Sequence, residues 1–328
     1  MFNYKWNLSD GYPAKGIEKH NKTVFGTFIC GGGSTMGYKL AGYNHLGGVE
    51  IDPKLAQIYK LNHDPKYFYL EDIREFNKRE DLPEELYDLD LLDGSPPCST
   101  FSMAGSREDA WRKEKKFREG QSDQMLDDLV YVYCETIKKL RPKVFLLENV
   151  KGMLVGNAKI YTKNIVKIME EAGYKVQVFL LNAASMGVPQ RRERVFVIGT
   201  TLDVKPLKLN FDLTPIQFRD VSSDNEDEKM SENESLNWDA AKPGGAVGKF
   251  NTYKKLEMNR VSNTIVASNP HYHPIQRRRL NYQEESLISS FPLDYKFLDQ
   301  TPRFIMGMSV PPVMTAQVAY QIYKQWLQ

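Results

Sequence analysis

Apolar and polar positions follow two alternating periods along roughly the first 200 residues. Short apolar, β-branched runs predict strands, and segments with apolar residues three and four apart predict helices between them. The predicted strands cover residues 23–29, 46–51, 86–93, 143–148, 175–181 and 195–199, and the clearest helices cover residues 53–62, 122–140 and 159–172. Strands that alternate with helices predict an α/β fold with a doubly wound, mostly parallel sheet covered on both faces.

The pattern changes after Thr201. Residues 205–257 contain few apolar runs and include the acidic stretch SSDNEDEKMSENES and the glycine-rich KPGGAVGKF. This composition predicts a small region of loops and short strands. Helical patterning returns near residue 260, with helices predicted over residues 282–291 and 312–327. We therefore expect one α/β domain built from residues 1–204 and 260–328, interrupted by a small region at residues 205–259.

Composition and charge narrow the class of protein. The 328 residues are 41% hydrophobic and 26% charged, which is typical of globular chains. A net charge of only +2 means that any surface for nucleic acid must come from local clustering of basic residues. Three cysteines without paired spacing argue against a disulfide framework or a zinc site, so no metal is expected. The sequence lacks a signal-peptide pattern and a long apolar run, which predicts a cytoplasmic protein without a membrane segment.

A glycine-rich turn follows the first predicted strand. Gly31, Gly32 and Gly33 allow positive φ angles and close approach of a ligand, and the helix start beyond them attracts anions. Glu50 ends the next strand, where a carboxylate suits ribose hydroxyls, and Asp72 follows a third strand region. These residues predict a site for an adenosine-containing cofactor, although a plain turn beside two surface carboxylates explains them equally well.

Cys98 follows an apolar strand and the sequence Gly-Ser-Pro-Pro. The prolines fix the backbone at the end of the strand, which favours a cysteine held at the edge of a cleft. As a thiolate, cysteine is a suitable nucleophile for C6 of a pyrimidine. The alternative is a buried, inert thiol, and we expect it for Cys30 and Cys134, which fall inside a strand and a helical pattern.

Seven segments of the chain resemble motifs of the DNA cytosine-5 methyltransferases of the bacterial or phage restriction–modification type. They follow one another in the order that is usual in that family. FICGGGSTMG resembles the cofactor motif, GSPPCSTFS the Pro-Cys motif, LLENVKG the glutamate motif and GVPQRRERVFVIG the Gln-x-Arg-x-Arg motif; RVSNTI, RRRLNYQEESLISSFP and GMSVPPVMTAQVA resemble C-terminal motifs. Only residues 205–257 lie outside these matches. The resemblance implies a Rossmann-like S-adenosylmethionine-dependent methyltransferase fold, with residues 205–259 as a target-recognition region.

Three positions depart from the family pattern. Cys30 stands where a glycine is usual, Ser99 where glutamine is common, and Met308 where asparagine is usual. None of these departures removes a group that the chemistry needs.

The resemblance also implies roles for individual residues. Cys98 would attack C6 of a cytosine flipped out of double-stranded DNA, so that C5 can take the methyl group of S-adenosylmethionine. Glu148 would donate to or pair with N3, Asn149 would orient that carboxyl or cap the next turn, and Arg194 would bind O2. Arg192 would brace a loop that covers the base. The expected catalytic set is Cys98, Glu148, Asn149, Gln190, Arg192 and Arg194, and the expected cofactor set is Phe28, Gly31, Gly32, Gly33, Glu50, Ile51, Asp72, Ile73, Pro97 and Ser309.

DNA contacts are expected from three places. The basic segment 99–121 is a candidate for the covering loop, and Arg277 belongs to a second basic cluster at residues 277–279. In the recognition region, KFNTYKK offers aromatic, amide and lysine groups, whereas the acidic residues 224–234 should point away from the duplex. The expected DNA-binding residues are Ser99, Lys249, Tyr253, Lys254 and Arg277. A monomer is expected, with a cognate restriction endonuclease as a further partner.

Other functions remain open on the sequence alone. Cytosine methylation in transfer RNA would use the same catalytic groups, while an RNA methylase with two cysteines lacks support because Glu148-Asn149 carries no second cysteine. An inactive DNA-binding subunit conflicts with the intact Cys98, Glu148 and Arg194. A Rossmann oxidoreductase would leave the Pro-Pro-Cys and Gln-x-Arg-x-Arg segments unexplained.

Overall fold

The computed structural model describes residues 2–97, 128–224, 230–248 and 253–328. Its strands are β1 (Thr23–Thr27), β2 (Asn44–Glu50), β3 (Tyr67–Leu70), β4 (Leu91–Gly94), β5 (Val144–Val150), β6 (Lys175–Asn182) and β7 (Glu193–Thr200). Its α-helices are α1 (Gly33–Leu40), α2 (Pro53–His63), α3 (Ile73–Lys78), α4 (Leu129–Leu140), α5 (Lys159–Glu171), α6 (Glu232–Ala240), α7 (Tyr282–Ile288), α8 (Pro302–Met308) and α9 (Pro312–Ile322).

The strands form one sheet in the order β3-β2-β1-β4-β5-β7-β6, which confirms the predicted doubly wound α/β fold. The pairs formed among β1 to β5 are parallel, whereas β7 runs antiparallel to both of its neighbours, β5 and β6. Helices α1, α2 and α9 contribute to the core on one face of the sheet, and α3, α4 and α5 to the core on the other. Burial on both faces explains the nearly continuous apolar runs of the central strands.

The strand order reverses at β1, which lies between β2 and β4. At such a switch point the loops that follow neighbouring strands diverge to opposite faces and leave a crevice at the carboxyl edge of the sheet. The loops after β1, β2, β4 and β5 all meet at this edge. The sheet therefore brings the predicted cofactor turn and the predicted catalytic segments together.

The C-terminal helix α9 packs against α1, the helix that follows β1. Gly37 makes this close packing possible, because a β-carbon there would overlap the side chain of Thr315. Tyr43 Oη also donates to the carbonyl of Ala319 at 3.0 Å. The C-terminal residues are thus part of the core that supports the turn after β1, while the exact domain boundaries stay a prediction.

The region at residues 205–259 departs from the prediction of loops and short strands, because it contains α6. Ser231 and Glu234 cap the first turn of this helix reciprocally: the Ser231 side chain accepts from the backbone of Glu234, and the Glu234 side chain accepts from the backbone of Ser231. Such a capping box satisfies amide groups that a helix start leaves open. The acidic stretch that predicted a loop therefore contains the first turn of a helix.

The predicted strand at 86–93 is shorter than expected. Its first part forms a 3₁₀ turn at Glu84–Tyr87, and only Leu91–Gly94 pair in the sheet. Among the described residues no helix is both long and apolar enough to cross a bilayer.

Candidate active site

A cavity of about 290 Å³ opens at the carboxyl edge of the sheet, beside the switch point at β1. It combines one group of residues from the loops after β1, β2 and β3 with a second group from the ends of β4 and β5 and the start of β7. The first group includes Phe28, Cys30, Glu50, Ile51, Asp52, Asp72 and Ile73, and the second includes Pro96, Pro97, Glu148, Asn149, Arg192 and Arg194. Most of the predicted cofactor and catalytic residues that the structure describes thus line one cavity.

Glu148 and Arg194 form an ion pair inside this cavity. Glu148 pairs with Phe196 and Arg194 with Val150 across the antiparallel strands β5 and β7, so Glu148 and Arg194 are diagonal neighbours on one face. Arg194 Nε lies 3.0 Å from Glu148 Oε1, and the two side chains are only 13% and 10% exposed. The carboxyl that was predicted to reach N3 is therefore held by the guanidinium that was predicted to reach O2.

Asn149 holds the proline segment rather than the Glu148 carboxyl. Its Nδ2 donates to the Pro96 carbonyl at 3.2 Å, and its Oδ1 accepts from the Val150 amide at 2.8 Å. The prediction that Asn149 orients Glu148 is corrected, because the Asn149 amide group bonds to the Pro96 carbonyl and the Val150 amide instead. Asn149 instead fixes the backbone just before Pro97, which lines the cavity; the next residue, Cys98, lies outside the described residues.

Arg192 is buried and joins the start of β7 to two C-terminal segments. Its guanidinium donates to the carbonyls of Ile265 at 3.1 Å, Gly307 at 3.0 Å and Ser309 at 2.9 Å. The loop that Arg192 was predicted to brace, residues 99–121, lies outside the described residues. In the described structure Arg192 therefore braces the C-terminal segments that form one wall of the cavity.

Gln190 is buried away from the cavity. Its side-chain amide donates to the Ile288 carbonyl at 3.3 Å and accepts from the Ile265 amide at 3.2 Å. These two bonds tie the segment before β7 to the C-terminal part of the domain. Its role in the described structure is thus architectural.

Glu50 ties the turn after β1 to the end of β2. Its Oε2 accepts from the Cys30 amide at 2.8 Å, and its Oε1 accepts from the amides of Ile51 at 3.0 Å and Asp52 at 2.9 Å. Burial raises the pKa of Glu50, and the three amide bonds act in the opposite direction. Each carboxylate oxygen has two lone pairs, and Oε2 accepts one of these three bonds, so Glu50 keeps an acceptor position for a hydroxyl group.

The glycines after β1 face the protein rather than the cavity. A β-carbon on Gly31 would overlap Ile305, one on Gly32 would overlap His63, and one on Gly33 would overlap the Ser309–Val310 backbone. They therefore allow the C-terminal segment and α2 to pack onto the turn. The direct ligand approach that was predicted for them remains a prediction.

Phe28 and Cys30 are the residues of this turn that line the cavity. Both adopt left-handed backbone conformations, with φ of 57° and 49°. β1 ends at Thr27, so Cys30 is not the buried strand residue that the sequence predicted: it is half-buried at the cavity wall. Cys134, by contrast, is buried in α4 as predicted, and burial raises the pKa of its thiol to about 12.

Asp72, Ile73 and Ser309 take different positions around the turn. Asp72 caps α3 by accepting from the Arg74 amide at 2.7 Å, and Ile73 is buried beside it at the cavity wall. Ser309 is buried against Gly33, as expected for a residue near the cofactor turn, and its hydroxyl donates to the Ile305 carbonyl at 2.8 Å. The C-terminal residue at the cavity wall is Met308.

Two buried groups that the sequence did not single out support the site. Asp93, at the end of β4, accepts from Tyr38 Oη at 3.0 Å, and burial raises the pKa of its carboxyl to about 7. His63 and Tyr295 both contact the Gly31 carbonyl. The sequence could have indicated Asp93, because it is an aspartate at the end of the apolar run of residues 89–93. Nothing in the sequence indicates the contacts of His63 and Tyr295 with Gly31.

The predicted DNA-binding residues are placed unevenly. Arg277 is half exposed and forms an ion pair with Asp239, whereas Lys254 lines a second cavity. Lys255 is buried with its Nζ over the Trp238 ring, so the phosphate contact expected from the lysines of KFNTYKK is corrected for this residue. Tyr253 is partly buried, and Ser99 and Lys249 lie outside the described residues.

The cavity at the switch point and the paired residues of β5 and β7 define a methyltransferase-type α/β protein. The chain belongs to the C-5 cytosine-specific DNA methylase family, whose model matches residues 24–242. It is 38% identical over 184 residues to the type II methyltransferase M.FnuDI of Fusobacterium nucleatum, a match that covers 56% of this chain and 48% of that protein. With M1.HphI of Haemophilus parahaemolyticus it is 25% identical over 92% of this chain and 87% of that protein.

Solved structures agree on the fold. A structure described as a DNA modification methyltransferase encoded within an E. coli prophage superposes with a TM-score of 0.75 at 18% identity, covering 94% of this chain and all of that one. DNMT2 of Spodoptera frugiperda superposes with a TM-score of 0.66 at 15% identity, covering 92% of this chain and all of that one. The chain spans about half the length of several bacterial relatives that it matches, among them M.FnuDI and M.Sau96I.

Proposed function

We propose that this chain methylates C5 of cytosine in double-stranded DNA, with Cys98 as nucleophile and S-adenosylmethionine as methyl donor. The observation that carries the proposal is the Glu148–Arg194 pair, which lies in the same cavity as Pro97, the residue before Cys98. A carboxyl and a guanidinium side by side suit the N3 and O2 edge of a cytosine. The family match of residues 24–242 supports the same chemistry.

The proposed reaction assigns one step to each group. The Cys98 thiolate adds to C6, and the electron pair of the C5–C6 bond becomes available at C5, which takes the methyl group. The C5 proton then leaves to a base and the thiolate is eliminated, which restores the ring. As negative charge develops on the ring, Glu148 shares a proton with N3 and the Arg194 guanidinium donates to O2; both side chains are fixed before the reaction and require little reorganisation.

The residues around the turn after β1 suit S-adenosylmethionine, which supplies a methyl group activated on a sulfonium. Glu50 keeps acceptor capacity for ribose hydroxyls, and Asp72 lies at the cavity wall where it can accept from an adenine amino group. Phe28, Ile51 and Ile73 offer apolar surface for the adenine ring. This combination of carboxylates and apolar residues is what a nucleoside requires.

Covalent trapping tests the proposal. Bisulfite sequencing of DNA from cells that express the protein first identifies the methylated site. A duplex with 5-fluorocytosine at that site has no C5 proton to lose, so the adduct with Cys98 should persist on a denaturing gel. Cys98→Ser should give no band, while Cys134→Ser, at a buried thiol remote from the cavity wall, should trap normally.

Two results would contradict the proposal. A band of undiminished intensity from Cys98→Ser would assign the nucleophile to another residue. Trapping of transfer RNA that carries 5-fluorocytosine, with none of the DNA duplex, would assign the activity to RNA instead.

A further inference from the structure

A second cavity of about 410 Å³ lies between the segment before β7 and the region at residues 205–259. Arg191 forms its wall on the catalytic side. Lys254, Glu257, Arg260 and Asn263 contribute polar groups from the other side. The cavity is therefore lined by three cationic side chains and one carboxylate.

The two cavities meet at Arg191 and Arg192, which follow the buried Gln190 in the chain. Gln190 is bridged to Ser262 in extended conformation, and successive side chains of extended backbone point to opposite sides. Arg192 accordingly lines the first cavity and Arg191 the second. A DNA strand with its flipped cytosine in the first cavity would bring its flanking backbone close to the second.

The backbone of Arg191 is held on both sides. Its amide donates to the Ser262 carbonyl at 2.9 Å, and its carbonyl accepts from Thr264 Oγ1 at 2.7 Å. Its side chain is exposed and has no hydrogen bond or ion pair within the part of the chain that the structure describes. Arg191 thus presents an available guanidinium on a fixed backbone, while both of its neighbours are buried in structural contacts.

The charges of the remaining wall favour an anion. Glu257 lies 3.3 Å from Arg260 Nε, so the carboxylate is largely balanced by one of the cations. Arg191 and Lys254 also line the cavity, so its wall carries more cationic than anionic side chains. Arginine forms paired hydrogen bonds with phosphate oxygens, and phosphate contacts fix the register of a protein on a duplex.

We propose that the second cavity binds a backbone phosphate of the DNA strand that carries the target cytosine, next to the flipped nucleotide, with Arg191 as its main contact. This inference rests on the proposed function, because it assumes that the first cavity receives a base from DNA. Arg191 would hold the strand in register while Arg194, three residues later in the chain, and its partner Glu148 on β5 engage the base.

The salt dependence of DNA binding tests this site. Affinity for a duplex with the mapped target is measured over a series of salt concentrations for the wild type, Arg191→Ala and Arg191→Lys. Arg191→Ala should lower the magnitude of the slope of log K against log salt by about 1, as expected for one lost phosphate contact, and should weaken binding to target and non-target duplexes alike. Arg191→Lys should keep most of the slope.

Lys167→Ala is the matched control. Lys167 also carries an exposed positive charge, but it lies on α5, which packs on the opposite face of the sheet. Its removal should leave the slope unchanged. Affinity for S-adenosylmethionine and the unfolding midpoint should be the same in all variants, which excludes misfolding as the cause of weaker DNA binding.

Replacement of single phosphates by uncharged methylphosphonates locates the contact. One position beside the target cytosine should weaken binding of the wild type but not of Arg191→Ala. If Arg191→Ala keeps the wild-type slope, or methylates a changed set of sequences with the slope intact, the phosphate site is wrong. If the wild type methylates DNA and Arg191→Ala binds DNA with the same affinity and salt slope, this inference alone is wrong. If the wild type binds no DNA, the proposed function is wrong as well.

Discussion

The guanidinium of Arg194 and the carboxylate of Glu148 are diagonal neighbours across two antiparallel strands, with Nε and Oε1 3.0 Å apart. Both side chains are nearly buried, so each supplies the counter-charge that the other needs. Removal of one partner leaves a charge with little access to water, which costs more than the ion pair itself contributes. The pair therefore links the stability of the domain to its proposed chemistry.

This link predicts different effects for single and double substitutions. Arg194→Ala should lower the free energy of unfolding by about 2–3 kcal/mol. Arg194→Met combined with Glu148→Gln should recover part of that loss, because no isolated charge remains. Urea denaturation measures both. Equal losses in the single and double variants would show that the pair contributes through packing and not through charge.

Glu50 should be required for cofactor binding. Glu50→Ala removes the acceptor for three amides and for the proposed ribose hydroxyls, and we expect S-adenosylmethionine to bind more weakly by about 1–3 kcal/mol. Calorimetric titration gives the affinity. Glu50→Gln keeps one acceptor oxygen and should lose less. A folded Glu50→Ala variant with unchanged affinity would remove Glu50 from the cofactor site.

Cys30 should be accessible to a thiol reagent through the cavity. In a Cys98→Ser background, N-ethylmaleimide should modify Cys30 faster than Cys134, because Cys30 lines the cavity, whereas burial raises the pKa of Cys134 to about 12. Saturating S-adenosylmethionine should slow the modification of Cys30 at least several-fold. Mass spectrometry of proteolytic fragments identifies the modified residue. Modification at the same rate with and without cofactor would place the cofactor away from Cys30.

Acid should destabilise the domain through buried histidines. Burial lowers the pKa of His271 and of His273 to about 4, below the ordinary value of 6.5. Their contribution to stability is complete above pH 6.5 and is lost as the pH falls towards 4, because the unfolded chain takes up protons that the folded chain excludes. Asp93 has the opposite effect: burial raises its pKa to about 7, so the folded chain binds this proton at a higher pH than the unfolded chain and gains stability as the pH falls.

His271→Gln tests the assignment. Gln can retain the hydrogen bond to the Thr264 carbonyl, which His271 Nε2 contacts at 3.1 Å, but it does not titrate. Between pH 6 and 4.5 the unfolding free energy of this variant should fall less steeply than that of the wild type, by up to about 1.4 kcal/mol per pH unit. Identical slopes would mean that His271 is protonated in the folded protein.

The sequence predicted the sheet and the cavity residues because strand period and motif position are local properties. It missed the α6 helix, whose capping box lies inside an acidic stretch. It misassigned the contact of Asn149, and it could not show what the glycines after β1 pack against, for a different reason. Their partners, such as Pro96 and Ile305, come from distant parts of the chain, and only packing decides which side of a residue faces the ligand.

The packing of α9 on α1 also affects how the protein is made. Tyr43 donates to the carbonyl of Ala319, a residue 276 positions later in the chain. At ~5–20 residues per second, a ribosome needs about 14–55 s to supply that partner. During this time the face of the sheet that α9 will cover exposes apolar surface on the nascent chain. Slow translation should therefore increase the demand for chaperones, and α9 should be the last helix to protect the turn after β1 from proteolysis.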